Sequence, residues 1–406
     1  MAKHKWAFSP RFRTRGFSWK SSSLACQRVK EAVAEIKKVA RTNPVLGAEG
    51  AILFIEKIEP ALEEVDSSSG AIGTAVYKAM EALIPLIIAA EVTQSVRGKW
   101  LDRLWQAFTD DGFGYVENLG DHWGQLCGSP EVAETWVDEL LPLVKMTWSE
   151  RWGYFRGTPA CLSCLLATGR YQELLNLIDT APHSMWHNRK FGFKALVALG
   201  RTAEALEYAE SSRGLNDSYQ SIAEACEELL LSLGRTDVAF SMFAFAANRR
   251  NSNLATFRAI AKKYPGIASE ALLNHLIKSD PGNEHKWFAT AKELGQFELA
   301  LKLATKGPCD IRTLNRAALH HIETNPEFAL GVAVASLKWM LLGQFYEMDK
   351  GDVYSAVSSG TKAAKRCDQS EQFDAWLKTN VLEDQSPRMF VSEAIMQYMS
   401  MPETNR

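Results

Sequence analysis

One phrase returns through the middle of this chain and limits what it can fold into. It reads Gly169-Arg-Tyr-Gln-Glu-Leu-Leu-Asn-Leu-Ile178, then Gly200-Arg-Thr-Ala-Glu-Ala-Leu-Glu-Tyr-Ala209, Gly234-Arg-Thr-Asp-Val-Ala-Phe-Ser-Met-Phe243 and Gly295-Gln-Phe-Glu-Leu-Ala-Leu-Lys-Leu-Ala304. Weaker copies begin at Gly266, with Ala271 and Leu272, and at Thr324, with Ala329 and Leu330. Successive copies therefore stand 31, 34, 32, 29 and 29 residues apart, which is the period of a helix pair. Glycine accepts the left-handed backbone that a tight turn after a helix needs, and the next helix opens two to four residues later. The residues five and six after the glycine, such as Ala205 and Leu206, then pack against the preceding helix.

Apolar residues recur at helical spacing elsewhere too, as in Val29, Ala32, Val33, Ile36 and Val39, or Ile52, Ile55, Ile58, Leu62 and Val65. Breaks of the Asx, Ser, Gly and Pro kind fall at Asn43-Pro44, Asp66-Ser-Ser-Ser-Gly70, Asp110-Asp111-Gly112 and Gly128-Ser-Pro130. Strand-length alternation is nowhere evident. The expectation is an all-α chain, an α-solenoid of antiparallel helix pairs coiled as a right-handed superhelix. Four stretches are expected: a disordered basic, aromatic-containing arm at 1–22, an irregular helical block at 23–150, helix-pair repeats at 151–340, and a helical cap and tail at 341–406.

With Gly, then an aromatic or small residue, then Ala-Leu, the phrase resembles the turn and second helix of tetratricopeptide repeats over roughly residues 156–340. No copy carries that family's closing Pro at a fixed place. Other phrases are similar to a family of uncharacterised bacterial helical-repeat proteins: Val65-Asp-Ser-Ser-Ser-Gly-Ala-Ile-Gly-Thr74, Ser211-Ser-Arg-Gly-Leu-Asn-Asp217, Ala255-Thr-Phe-Arg-Ala-Ile-Ala-Lys-Lys-Tyr-Pro265 and Lys286-Trp-Phe-Ala-Thr-Ala-Lys292. That similarity spans most of the chain. It implies a cytoplasmic bacterial protein and brings no assigned activity, cofactor or site.

Net charge is −2 over 406 residues, yet it is unevenly placed. Residues 1–41 carry a net +9 and the remainder −11. In the head, Trp6, Phe8, Phe12, Phe17 and Trp19 alternate with Arg11, Arg13, Arg15 and Lys20, and Lys3 and Lys5 precede them. Such a mixture pairs with phosphates and stacks on bases; equally, it suits an arm that folds back on the acidic body. Within the repeats, the first helices hold eleven Lys/Arg against five Asp/Glu. In tetratricopeptide-like stacking those helices line the concave surface. Arg189, Lys190, Lys194, Arg258, Lys262, Lys286, Arg312 and Arg316 are thus expected to form a positive inner face for an acidic peptide or a phosphate backbone, interrupted by Glu224, Glu227 and Glu228.

Chemical motifs are sparse. Seven scattered cysteines do not read as a disulfide framework. Cys161 and Cys164 with His183 and His187 offer zinc-ligand types, but a complete helix separates the pairs, and small buried thiols are the commoner outcome. Ser67-Ser-Ser-Gly70-Ala-Ile-Gly73-Thr74 has no Lys after its glycines, so a helix N-cap is favoured over a phosphate loop. His320-His321 lacks metalloprotease spacing. Seven Trp between Trp100 and Trp186 fit core packing before they fit a ligand groove. The longest apolar run, Ala82 to Ala90, falls short of the roughly 20 residues that span a bilayer, so no transmembrane helix is expected. The first residues read as neither a secretory signal nor, beyond their lack of acids, a transit peptide.

These readings converge on a non-catalytic scaffold without cofactors that binds a partner protein with an acidic segment. The alternatives are a nucleic-acid-associated factor using the basic arm and the basic inner face, and an enzyme with an unrecognised site.

Overall fold

A computed structural model describes residues 4–149, 153–214, 218–344, 347–382 and 389–401. Every regular element among them is a helix. The chain divides into two compact units, Met1–Ser218 and Tyr219–Arg406. The first holds α1 (Ser22–Ala40), α2 (Pro44–Leu62), α3 (Ala71–Ile88), α4 (Gln94–Asp110), α5 (Trp123–Leu126), α6 (Pro130–Ser149), α7 (Thr158–Ala167), α8 (Tyr171–Asp179), α9 (Trp186–Ala198) and α10 (Thr202–Glu210). Short 3-10 helices stand at Ser9–Arg11, Trp19–Ser21 and Glu117–His122. The second unit holds α11 (Tyr219–Ser232), α12 (Thr236–Ala247), α13 (Asn253–Lys263), α14 (Ser269–Ser279), α15 (Phe288–Glu293), α16 (Phe297–Lys306), α17 (Ile311–His321), α18 (Pro326–Leu341), α19 (Lys350–Arg366), α20 (Ser370–Leu382) and α21 (Met389–Ser400), with a 3-10 helix at Glu284–Trp287.

The sequence periodicity translates directly into buried faces. In α1, Ala25, Val29, Ala32 and Ile36 are buried at spacings of four and three, which puts them on one side against α2 and α3. α2 starts where Asn43 Oδ1 accepts the Leu46 amide and Pro44 fills the first helical position. α7 is the centre of the first unit: eight of its ten residues are buried, and it touches α5, α6, α8 and α9. Its close neighbour α5 is admitted by Gly124, where a Cβ would stand 2.3 Å from the Ser163 carbonyl oxygen. α3 is the one helix among the described residues long and apolar enough to cross a membrane by length and composition, with a mean hydropathy of 1.5. The expectation of no such helix missed it because charged Lys78 and Glu81 interrupt the apolar run. One face of α3, including Ile72, Val76, Leu83 and Ile87, is buried in the unit.

The glycines of the repeat adopt the left-handed backbone: φ is 73° at Gly169, 73° at Gly200, 70° at Gly234 and 74° at Gly295. Each turn closes with the same two bonds. At the first, Arg170 N donates to Leu165 O (3.0 Å) and Gly169 N to Leu166 O (3.3 Å), the Schellman pattern that satisfies a helix's last carbonyls. Arg201, Arg235 and Gln296 repeat the longer bond to Leu196, Leu230 and Ala291. The residue five after each glycine (Leu174, Ala205, Ala239 and Ala300) is fully buried, and the one six after is half-buried. The pairs α7 with α8, α9 with α10, α11 with α12 and α15 with α16 pack against each other across these turns.

The weak copies depart from the pattern for a visible reason. Gly266 does not take a left-handed φ. Its helix α14 buries Leu272, Leu273 and Leu276, leaving Ala271 exposed, so the register sits one residue later than expected. At the Thr324 copy, Asn325 caps α18 by accepting the Phe328 amide, with Pro326 behind it, and Ala329 is buried as expected. The turn also recurs beyond the expected end of the repeats. Gly343 (φ 77°) and Asp368 (φ 55°) sit at two further turns, closed by Gln344 N to Trp339 O and Gln369 N to Ala364 O.

Residues 4–22 do not form the expected disordered arm. Trp6, Phe8, Phe12 and Phe17 are buried in the core of the first unit, and only Trp19 stays exposed. Phe8 and Phe12 meet Phe54 of α2 edge-on, at ring centroids of 6.1 and 5.4 Å. Glycine at position 50 makes room for Trp6, whose ring would lie 2.3 Å from a Cβ there. Backbone bonds hold the segment in place: Ala7 N and Phe8 N donate to the Glu35 carboxylate at 2.7 and 3.0 Å, and Arg15 N to Pro60 O at 2.8 Å.

Ala205→Asp tests the register of the pairs. It puts a carboxylate into a fully buried contact and should cost about 3 kcal/mol or more, whereas Ala203→Asp on the exposed side of α10 should stay within about 0.5 kcal/mol. Equal losses in a chemical-denaturation comparison would show that the register is wrong.

Candidate functional site

One concavity of the first unit lies where two loops meet the side of α9. One loop leads into α3. There Asp66 Oδ1 accepts the Ser68 amide (3.0 Å), and the Ser68 side chain first, then this amide, lowers the Asp66 pKa. Gly70 takes a left-handed φ of 69° just before the helix. The segment therefore serves as the expected helix start, with Ser69 Oγ accepting the Ala71 amide at 3.4 Å.

The second loop follows α4. Asp111 is buried and organises it, its carboxylate accepting Val116 N at 2.7 Å and Phe113 N at 3.2 Å. Arg156 Nη1 donates to the Phe108 carbonyl at 2.8 Å and to the Asp111 carbonyl, closing the loop from the other side. Nearby Glu59 has its pKa raised, by burial first and then by the charge of Asp111. Gly114 (φ 74°) lets Phe113 and Tyr115 fold side by side, their rings stacked with centroids 5.7 Å apart. Burial and then the charge of Asp111 raise the Tyr115 pKa.

The 3-10 helix Glu117–His122 then presents Glu117, Asn118 and Asp121. Asp121 Oδ2 receives Lys190 Nζ at 2.6 Å, both side chains being about three-quarters buried, and the Asp121 carbonyl accepts from Ser163 Oγ. His187 stands one helical turn before Lys190 on the same face of α9. The enclosed space is about 420 Å³, with Tyr77, Phe113, Tyr115, Glu117, Asp121 and His187 among its walls.

Several of the residues expected to bind an acidic partner are engaged within their own unit. Arg189 stacks on Tyr208 at 3.7 Å and donates to Ser212 Oγ, so it braces its own repeat. Lys190 is held by Asp121. Lys194 is exposed, with its ammonium 5.8 Å from the Phe191 ring. In the second unit, Arg258 pairs with Glu293 at 2.8 Å, Arg312 lies 3.7 Å from Asp352, and Arg316 bonds the Arg312 carbonyl. Lys262, Lys286 and Arg316 are exposed on α13, the following 3-10 helix and α17. Glu227 does not interrupt any surface stripe. It is fully buried and accepts from Asn248 Nδ2 (2.8 Å), Tyr264 OH (2.6 Å) and Lys263 Nζ (2.6 Å), which satisfies a charge that would otherwise be costly inside the core.

Nor do the zinc candidates come together. Cys161 and Cys164 are fully buried in α7, while His183 and His187 are exposed. Burial pushes the Cys161 thiol up to about 12, and the neighbouring Cys127 together with burial pushes Cys164 up, which disfavours the thiolates a zinc ion needs. Among the described residues no group of three or more His, Cys, Asp or Glu side chains is placed to hold a metal ion.

Of the residues read as a nucleic-acid arm, Lys3 lies outside the described residues. Lys5, Arg11, Arg13, Arg15 and Lys20 are all exposed, with Arg11 paired to Glu31 and Arg15 to Glu63. Four of the five rings read as base-stacking platforms are inside the protein, which leaves Trp19 alone on the surface. The sequence reading missed the loop of Phe113, Tyr115, Glu117 and Asp121 altogether. Its signal was present in Asp110-Asp111-Gly112 followed by two aromatics around Gly114, but it was read only as a helix break.

No protein-family model matches the chain, and no curated protein or solved structure shows a match to it.

Phe12→Ala separates a packed segment from a loose arm. Removing a ring that is 1% exposed should cost about 3–5 kcal/mol in equilibrium unfolding. No change would return residues 4–22 to solvent.

Proposed function

We propose that this chain is a non-catalytic interaction scaffold that binds a partner protein through the surface of an α-solenoid of antiparallel helix pairs, tetratricopeptide-like and right-handed. The observation that carries the reading is the Schellman turn at Gly169, Gly200, Gly234 and Gly295, each followed at the fifth position by a buried residue. A series of such pairs presents a long preformed surface, which is how helical arrays engage partners. The bacterial, cytoplasmic setting implied by the family resemblance belongs to the same proposal. Support for an acidic partner is narrower than the sequence suggested, because ion pairs and stacking engage much of the basic set. Of that set, Lys262, Lys286 and Arg316 are exposed and have no salt bridge among the described residues.

Affinity purification from the native host, with and without nuclease, tests the reading. A protein should co-purify in both cases. Charge reversal at Lys262, Lys286 and Arg316 should weaken its association at least tenfold, while reversal at Lys5, Arg13 and Lys20 changes little. The opposite pattern would favour the nucleic-acid reading, with affinity falling by up to about 0.9 logarithmic units per logarithmic unit of salt for each phosphate contact.

A further inference from the structure

The cavity beside α9 has a chemistry that nothing above assigns. Its rim carries two large rings in contact with solvent, Tyr77 and Phe113, each 55% exposed. Tyr115 stacks behind Phe113. Exposed aromatics gathered at one concavity are unusual on a soluble surface and mark binding sites more often than chance.

Glu117 and Asp121 bring two carboxylates to the wall, beside His187, and Lys190 bonds Asp121 Oδ2. Glu117 is exposed, and among the described residues no salt bridge engages it. The start of α3 opens on the same wall and would favour an anion, but two of its first amides, Ala71 N and Thr74 N, already donate to Ser69 Oγ and the Gly70 carbonyl.

Rings with a negative face beside an exposed carboxylate share one complement, a group that is positively charged and carried on an apolar stem. We infer that this cavity binds an organic cation, a guanidinium or alkylammonium group, with its stem against Phe113 and Tyr77 and its charge toward Glu117. The volume of about 420 Å³ suits one such group with its stem and not a folded domain. The cation comes either from a free small amine or from an arginine or lysine side chain of a protein. This inference rests on one cavity of the first unit, so its failure leaves the scaffold reading where it stands.

Titration calorimetry on the full chain tests it with three probes: agmatine, N-acetyl-arginine amide and, as the opposite charge, glutamate. At least one cation should bind saturably and glutamate should not. Agmatine binding alone assigns a free amine, and N-acetyl-arginine amide binding equally or better assigns a protein side chain. Glu117→Gln and Phe113→Ala, both at exposed positions that leave the core untouched, should each weaken the bound cation at least threefold, and together at least tenfold. Three results would overturn the inference: cation binding that both variants leave unchanged, glutamate binding as tightly as the cations, or no saturable cation binding up to about 10 mM.

Discussion

The left-handed turn after each first helix is the constraint on which the repeat region depends. A helix ends with carbonyls that have no partner inside it. At Gly169 and its equivalents, one residue at φ near 70° folds the chain back so that two following amides reach those carbonyls. The backbone reversal then sets the phase of the next helix. With that phase fixed, the residue five places on has to point at the preceding helix, which is why small Ala205, Ala239 and Ala300 stand there and close approach is possible. Where the glycine is not left-handed, at Gly266, the buried set moves on by one residue. Packing follows the turn.

A second constraint acts at the start of the chain. Residues 4–22 are short on regular structure, yet their rings alternate with basic and polar residues. Packing the rings against Phe54, into the space left by Gly50, leaves the Arg and Lys side chains outward. The Glu35 carboxylate, receiving two backbone amides, fixes the entry of the segment. The exposed pairs from Arg11 to Glu31 and from Arg15 to Glu63 add little stability by themselves. Burial of four aromatic rings is the larger effect. The basic character of the head thus survives as a surface property of a folded segment.

Much of the architecture was legible because helices declare themselves locally. The spacing of Val29, Ala32 and Ile36 and the return of glycine at 169, 200, 234, 266 and 295 need no knowledge of distant contacts. Aromatic residues interleaved with arginines carry no such local signature, since the same string suits a nucleic-acid arm or a core-packing strip, and only Phe54 and Gly50 decide between them. Lys190 illustrates the same limit at the candidate site. Its partner Asp121 lies 69 residues away, so a cation expected to face a partner turned out to hold a loop in place. The cavity itself is built from α3, the loop after α4 and α9, segments that no pattern in the sequence ties together.

The account rests on backbone geometry at the turns, and glycine-to-alanine exchange measures that geometry alone. At Gly200, Gly234, Gly295 and Gly266 an added Cβ meets nothing within 4 Å, so steric crowding is the same at all four and only φ differs. Equilibrium unfolding should show Gly200→Ala, Gly234→Ala and Gly295→Ala each losing about 1–2 kcal/mol, with Gly266→Ala unchanged or slightly more stable. Four equal responses would contradict the claim that left-handed turns set the register of the helix pairs.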